Sequence, residues 1–282
     1  MAVDPALLIP ATLQAEIAAC TGLPAAEVAA RWDRERAALG SNVRTDCIAF
    51  GVTPHHYNAA MERLYCEGLG FIFETLAYWI RPERQAWSTR GLARLQRYCR
   101  AHAVSPSDLP LLILGDGSGS DTLLLHQHGF RPDYFDVPGS RTSDFARCRF
   151  AHHGVAVTCV DHYPDLLDGR YQALWSFDVL EHLPDLPAAV HDISRMLADD
   201  GIALITESCG YVREDLPTHL ACNQTYAGRL PQLFSQVGLY LRHFTPHTDY
   251  RPCEYRKRNR PRLSDRWLSL RLTRKVRRGS GR

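Results

Sequence analysis

Short apolar runs recur through the middle of the chain, at 111–114, 134–135, 155–160, 173–177, 202–206 and 240–244. Between them lie stretches with helical spacing at 121–128, 143–150, 164–167, 186–197 and 226–237. Strands alternating with helices are the mark of a parallel sheet covered on both faces, because each crossover helix must bury its apolar stripe against the sheet. The pattern predicts an α/β chain built on a doubly wound, mostly parallel sheet.

Upstream the period changes. Residues 11–39 place Leu13, Ile17, Leu23, Val28 and Trp32 at helical intervals, with a break at Thr21-Gly22-Leu23-Pro24 and an end at Gly40-Ser41-Asn42. From 53 to 100 the chain again reads as helical, opening at Thr53-Pro54, broken near Arg81-Pro82 and rich in aromatics: Tyr57, Tyr65, Phe71, Phe73, Tyr78 and Trp79. Three units are expected: a helical N-terminal subdomain over 1–104 that covers a ligand, the sheet over 105–250, and a basic tail over 251–282.

A chain of 282 residues can bury one sizeable core, and 45% hydrophobic with 23% charged residues excludes a disordered or fibrous protein. The longest apolar stretch, 68–80, is short and carries Glu74, so no membrane-spanning helix is expected. The opening Met1-Ala2-Val3-Asp4 shows no basic and apolar leader, which predicts a cytoplasmic protein. Nine cysteines without a CxxC pair fit neither a disulfide framework nor a zinc site and are read as reduced thiols, mostly buried. From Arg251 onward thirteen Lys/Arg face two acids, a net +11; against the overall +2 this leaves −9 on the remainder. With Trp267, Leu268, Leu270 and Leu272 among its arginines, this tail suits an anionic membrane, nucleic acid, the acidic body of its own chain, or solvent.

The candidate chemistry gathers at the strand ends. The first strand runs into Gly115-Asp116-Gly117-Ser118-Gly119-Ser120-Asp121, where glycines let the backbone turn sharply and approach a ligand. Asp136 follows Gly117 by 19 residues at the end of strand two, where a carboxylate can accept both hydroxyls of a ribose. Asp161-His162 closes strand three, and FDVLEHLPD at 177–185 follows strand four. In an open α/β sheet these carboxyl ends share one crevice.

The glycine turn, Asp136, Asp161 and above all FDVLEHLPD resemble the successive motifs of class I S-adenosylmethionine (SAM)-dependent methyltransferases, and Arg195-Met196-Leu197-Ala198-Asp199-Asp200-Gly201 resembles the family's turn before strand five. The resemblance spans roughly residues 105 to 246. It implies SAM as cofactor, with Gly117, Ser118 and Gly119 against its methionine portion, Asp136 on the ribose, Asp161 and His162 at the adenine and Phe177 beside the sulfonium; Gly115 and Val137 complete the cofactor-binding set. Two positions depart from the family pattern: Gly115 stands where an acid is usual, and Asp121 where a third glycine is usual. A dinucleotide fingerprint fails too, since GxGxxG read from Gly115 or Gly117 ends on Ser120 or Thr122.

The segment after strand four carries neither the Pro-Pro-Tyr of amino-methylating nucleic-acid enzymes nor a Pro-Cys nucleophile, and Glu207-Ser208-Cys209-Gly210 replaces the acid–amide pair of a catechol-type metal site. A small, partly apolar acceptor and no catalytic metal are therefore expected, with an RNA-directed methyltransferase or a non-catalytic SAM-fold module as the alternative. The acceptor pocket is expected from 57–79 and 211–226, with Tyr57 and Tyr65 as lid residues. His182 and His219, near the active edge, are the expected general bases, since free imidazole titrates near pH 6.5. The pairs His55-His56, His152-His153 and His126 with His128 read as surface or capping residues.

Overall fold

Six helices precede the first strand: α1 (Pro10–Thr21), α2 (Ala25–Ala37), α3 (Ser41–Phe50), α4 (Ala59–Glu67), α5 (Gly70–Trp79) and α6 (Pro82–His102). They come from a computed structural model of the chain, which describes residues 5–245 and 250–279; residues 1–4, 246–249 and 280–282, on which some sequence readings fall, lie outside them. The helix α3 was not expected, because Gly40-Ser41-Asn42 reads as a stop. Gly40 adopts φ 78° and Gly51 φ 68°, so left-handed glycines bound α3 on both sides while Val43 and Cys47 anchor it in the core.

The sheet contains β1 (Leu111–Leu114), β2 (Asp133–Phe135), β3 (Thr158–Cys159), β4 (Tyr171–Ser176), β5 (Leu197–Ile205), β6 (Leu239–Thr245) and β7 (Tyr250–Lys257), in the order β3-β2-β1-β4-β5-β7-β6. The first five are parallel, and β7 runs antiparallel between β5 and β6. All four residues of β1 are buried, as a central parallel strand covered on both faces requires. Helices α7 (Ser120–Gln127), α8 (Arg141–His152), α9 (Leu186–Met196) and α10 (Leu230–Gln236) flank the sheet. The α/β architecture with a mostly parallel sheet is as the sequence predicts.

Both expected domain boundaries move. The face of α6 formed by Trp87, Leu92, Leu95, Tyr98 and Cys99 joins Leu111, Ile113, Trp175 and Leu204 in one core cluster, so the sheet layer begins at α6 and not at residue 105. A Cβ on Gly91 would fall 2.5 Å from the Trp175 ring, which shows how closely α6 lies on the sheet. At the other end, residues 251–257 belong to β7, and α11 (Leu263–Gly279) docks on β6. The Arg-rich composition concealed β7: its buried positions are Pro252 and Tyr255, while Arg256 reaches out to Asp200 at 2.6 Å.

The cysteine reading is also corrected, since Cys20 of α1 and Cys148 of α8 form a disulfide. They are 128 residues apart, and their proximity depends on α1 packing against α8, which cysteine spacing does not encode. The same contact buries Arg149, whose guanidinium donates to Glu16 and to the Ser118 carbonyl, each at 2.7 Å. Among the described residues no helix is long and apolar enough to cross a membrane.

Candidate active site

The turn after β1 is shaped by close approach. Gly115 adopts φ 78°, and a Cβ there would lie 2.5 Å from Val179 Cγ2. Asp116 caps α7 by accepting from Asp121 N (3.1 Å), Thr122 N (2.8 Å) and Thr122 Oγ1 (2.7 Å). Burial, with Asp121 alongside, pushes the Asp116 carboxyl up to about 7. Across the turn, Asp136 Oδ2 accepts from Gly117 N at 2.6 Å and Oδ1 from Val137 N at 2.7 Å. These bonds oppose the upward push of burial on Asp136 and fix its carboxylate at the end of β2.

A cavity of about 640 Å³ opens at the carboxyl ends of β1, β2 and β4, roofed by α4, α5 and the 208–219 segment. Gly115, Gly117, Asp136, Val137, His182 and His219 all line it, as do Tyr57 and Tyr65 of the expected lid. Five expected site residues do not. Ser118 is buried inside the turn, and Gly119 packs so closely on α8 that a Cβ would meet Phe150 at 2.5 Å. Phe177 shares the face of Trp175, two residues before it, and the two rings stack at 4.3 Å beneath α6. Asp161 and His162 are exposed, paired with Arg147 and Asp165. Strand alternation sends Phe177 under α6, and the shortness of β3 leaves the Asp161-His162 pair in an exposed loop.

Six carboxylates line the cavity (Glu62, Glu74, Asp136, Asp178, Glu181 and Asp215), and among the described residues no lysine or arginine does. Glu74 is pushed up to about 8, first by burial and then by the nearby Glu35. Asp178, in a left-handed conformation (φ 57°), is raised by burial, while Arg251 and Arg84 behind it pull the other way. Arg213 pairs with Asp215 and Arg44 acts on Glu74 from behind, so cations outside the lining offset part of this acidity.

At the rim of β4 stand Glu181, His182 and His219. The carboxylate of Glu181 is 1% exposed, neither of its oxygens has a hydrogen-bond partner among the described residues, and burial followed by the Asp178 charge pushes it up to about 8. His182 Nδ1 lies 3.1 Å from both the Thr218 carbonyl and the Tyr65 hydroxyl. The His219 ring meets His182 edge to face, centroids 4.9 Å apart. Burial lowers His182 to about 4, and burial with His182 beside it lowers His219 to about 3. The expectation of imidazoles near their ordinary value is thereby corrected: a charged ring is penalised where water is excluded. Glu181 was not singled out from the sequence although it lies within FDVLEHLPD; its signal was a carboxylate beside an expected base.

Donor atoms of Glu181, His182 and His219 lie within 4.8 Å of one another, the one such group among the described residues with the makings of a metal site. The same closeness also allows a proton to pass between neighbouring groups.

A family model described as a methyltransferase domain matches residues 83–247. Among solved structures, the DszA carbon methyltransferase superposes with a TM-score of 0.52 at 15% identity, over 73% of this chain and 62% of its own. The CurJ carbon methyltransferase gives a TM-score of 0.50 at 13% identity, over 71% and 61%. The phosphoethanolamine N-methyltransferase 2 of Haemonchus contortus, solved with S-adenosyl-L-methionine, aligns at 18% identity over 56% of this chain and 39% of its own, with a TM-score of 0.42. This chain thus spans about six-tenths of the length of the first two, and at these identities the likeness is one of fold. No curated protein matches the chain.

Proposed function

This chain belongs to the class I SAM-dependent methyltransferase family, and we propose that it transfers the cofactor's methyl group to an oxygen or nitrogen of a small, partly apolar acceptor, in specialised metabolism. The observation that carries this reading is the cavity itself: a glycine turn and a pinned carboxylate at one end, six carboxylates and, among the described residues, no lysine or arginine in its walls, and a roof of tyrosines. When bound, SAM supplies a methyl group activated on a sulfonium. Its positive charge matches the acidic lining, and the open space beside Gly117, where a Cβ would meet nothing closer than Thr75 at 3.6 Å, leaves room for it.

In this reading Gly115, Gly117, Asp136 and Val137 hold the nucleoside end of the cofactor. Tyr57, Tyr65, Phe71 and Tyr78 enclose the acceptor and keep water out, which matters because an in-line displacement depends mainly on alignment and desolvation. His219 and His182 take the acceptor's proton and pass it to Glu181, the more basic neighbour.

Asp136→Asn tests the cofactor site. An amide can keep one of the two backbone N–H bonds but opposes the other with its own N–H, and it loses the charge that grips two ribose hydroxyls. Affinity for S-adenosylhomocysteine is expected to fall at least about tenfold by calorimetry, with the melting temperature as a control for folding; unchanged affinity removes Asp136 from the site.

Charge matching gives a second test. Glu74 and Glu181, raised to about 8, are largely protonated at neutral pH. A bound sulfonium favours their ionised forms, so SAM binding releases protons and tightens as pH rises from about 6 to about 8, by several-fold or more. S-Adenosylhomocysteine has a neutral sulfur and should show the flatter profile. Parallel profiles for the two ligands would contradict the match between lining and sulfonium.

A further inference from the structure

The helix α11 is held to the sheet largely by its polar side. Asp265 accepts from Arg242 at 2.6 Å and from Arg262 N at 2.9 Å, and Ser269 Oγ accepts from Leu241 N of β6 at 3.0 Å. Thr273 is buried on the same side, with Leu268 and Leu272 half-buried. The outward face is the unusual one. Spacing of four and then three residues aligns Leu263, Trp267 and Leu270, which are 85%, 62% and 50% exposed. Interleaved with them are exposed Arg262, Arg266, Arg271, Arg274 and Lys275, and the Arg271 guanidinium lies 5.4 Å from the Trp267 ring centre. Asp265, the helix's sole acidic residue, is turned inward.

We propose that this face of α11 docks on an anionic lipid bilayer. The helix lies along the surface, with Leu263, Trp267 and Leu270 entering the boundary between headgroups and acyl chains and the cations pairing with lipid phosphates. Each half of the pattern needs this partner. A phosphate-bearing nucleic acid uses the arginines and leaves the two leucines in water, whereas an apolar protein groove uses the leucines and strands the cations. A second copy of this helix brings five cations against five. Aromatic and aliphatic side chains set between cations, on a helix too polar to span, are what an interfacial helix requires. Residues 1–250 carry net −9 against +11 from Arg251 onward, so an anionic surface attracts this end of the molecule and repels the remainder, which fixes its orientation.

The protein supplies its own probe. Of its five tryptophans, Trp32, Trp79, Trp87 and Trp175 are buried and Trp267 alone is exposed, so a blue shift in emission reports Trp267 leaving water. The full chain is mixed with vesicles of phosphatidylcholine alone, or with phosphatidylglycerol added, and binding is measured by sedimentation and emission. Binding with a blue shift is expected on the phosphatidylglycerol vesicles only, weakening as salt rises. Leu263→Ser/Leu270→Ser and Arg266→Glu/Arg274→Glu should each weaken sedimentation at least about tenfold, while Ile48→Ser, which removes an exposed isoleucine on α3, should not. Circular dichroism melting shows whether each variant folds; should a double variant fail to fold, the emission shift of the wild type decides. The proposal is overturned by equal binding to both vesicles, by absence of a blue shift, by a Leu263→Ser/Leu270→Ser variant that binds as the wild type does, by single-stranded RNA that binds this face without involving the leucines, or by self-association of the wild type through it.

Discussion

Glu181→Gln lowers the single-turnover rate of methyl transfer at saturating SAM by about 10²-fold or more. The change keeps the shape of the side chain and removes its capacity to hold a proton. His182 and His219, lowered to about 4 and about 3, are neutral at physiological pH and free to accept a proton, but too weakly basic to keep one. Glu181, within 4.8 Å and raised to about 8, is the group on which the proton can rest. The relay runs only when Glu181 is ionised, so the wild-type rate should rise with pH and level off at or below about 8, the bound sulfonium drawing the limb downward. Glu181→Gln should abolish that limb, and His219→Ala should lose a similar factor with the limb retained. An acceptor for these measurements comes from screening labelled methyl transfer to phenols, hydroxylated aromatics and amines. Enzyme dialysed against a chelator should keep its rate, because no step of the relay uses an ion. Near-normal rates in both variants would remove the relay, and loss of activity on chelation would turn the same three residues into metal ligands.

Gly115→Ala is expected to weaken SAM binding by about 10²-fold, to lower the melting temperature by roughly 5–10 °C, or to divide its effect between the two. Two independent costs meet at this position. The backbone sits at φ 78°, where a side chain costs about 1–2 kcal/mol. The new methyl group would also lie 2.5 Å from Val179 Cγ2, and overpacking of this kind costs about 1–3 kcal/mol. Val179 follows Asp178 in the turn after β4, so the clash pushes the Asp178–His182 segment away from the cofactor turn. A second substitution separates the costs: Gly115→Ala/Val179→Ala should recover the steric part and leave the backbone part. A Gly115→Ala protein with unchanged affinity and unchanged melting would show that the two turns do not need this approach.

What the sequence by itself determined is local. Strand–helix alternation, the glycine turn after 111–114 and a carboxylate 19 residues beyond Gly117 are properties of neighbouring residues, and backbone period and turn chemistry act over just such distances. They were enough for the sheet, its family and the placing of Gly115, Gly117, Asp136, Val137, His182 and His219 around one cavity. Tertiary structure decided everything that depends on what packs against what. Whether Phe177 faces the cofactor or the underside of α6 is set by Trp175 and by the missing side chain of Gly91; whether Cys20 finds Cys148 is set by the docking of α1 on α8. A strand that carries Arg251, Arg256 and Lys257 becomes the interior strand β7 because β5 and β6 bond it on either side; Arg256 reaches out to Asp200, while Arg251 turns inward to Glu207 and Ser208. The ionisation of the site was settled in the same way. His182, His219 and Glu181 have ordinary affinities for protons until the fold takes water from around them, and that desolvation lowers the imidazoles, raises the carboxylate and makes the third residue the base of the other two.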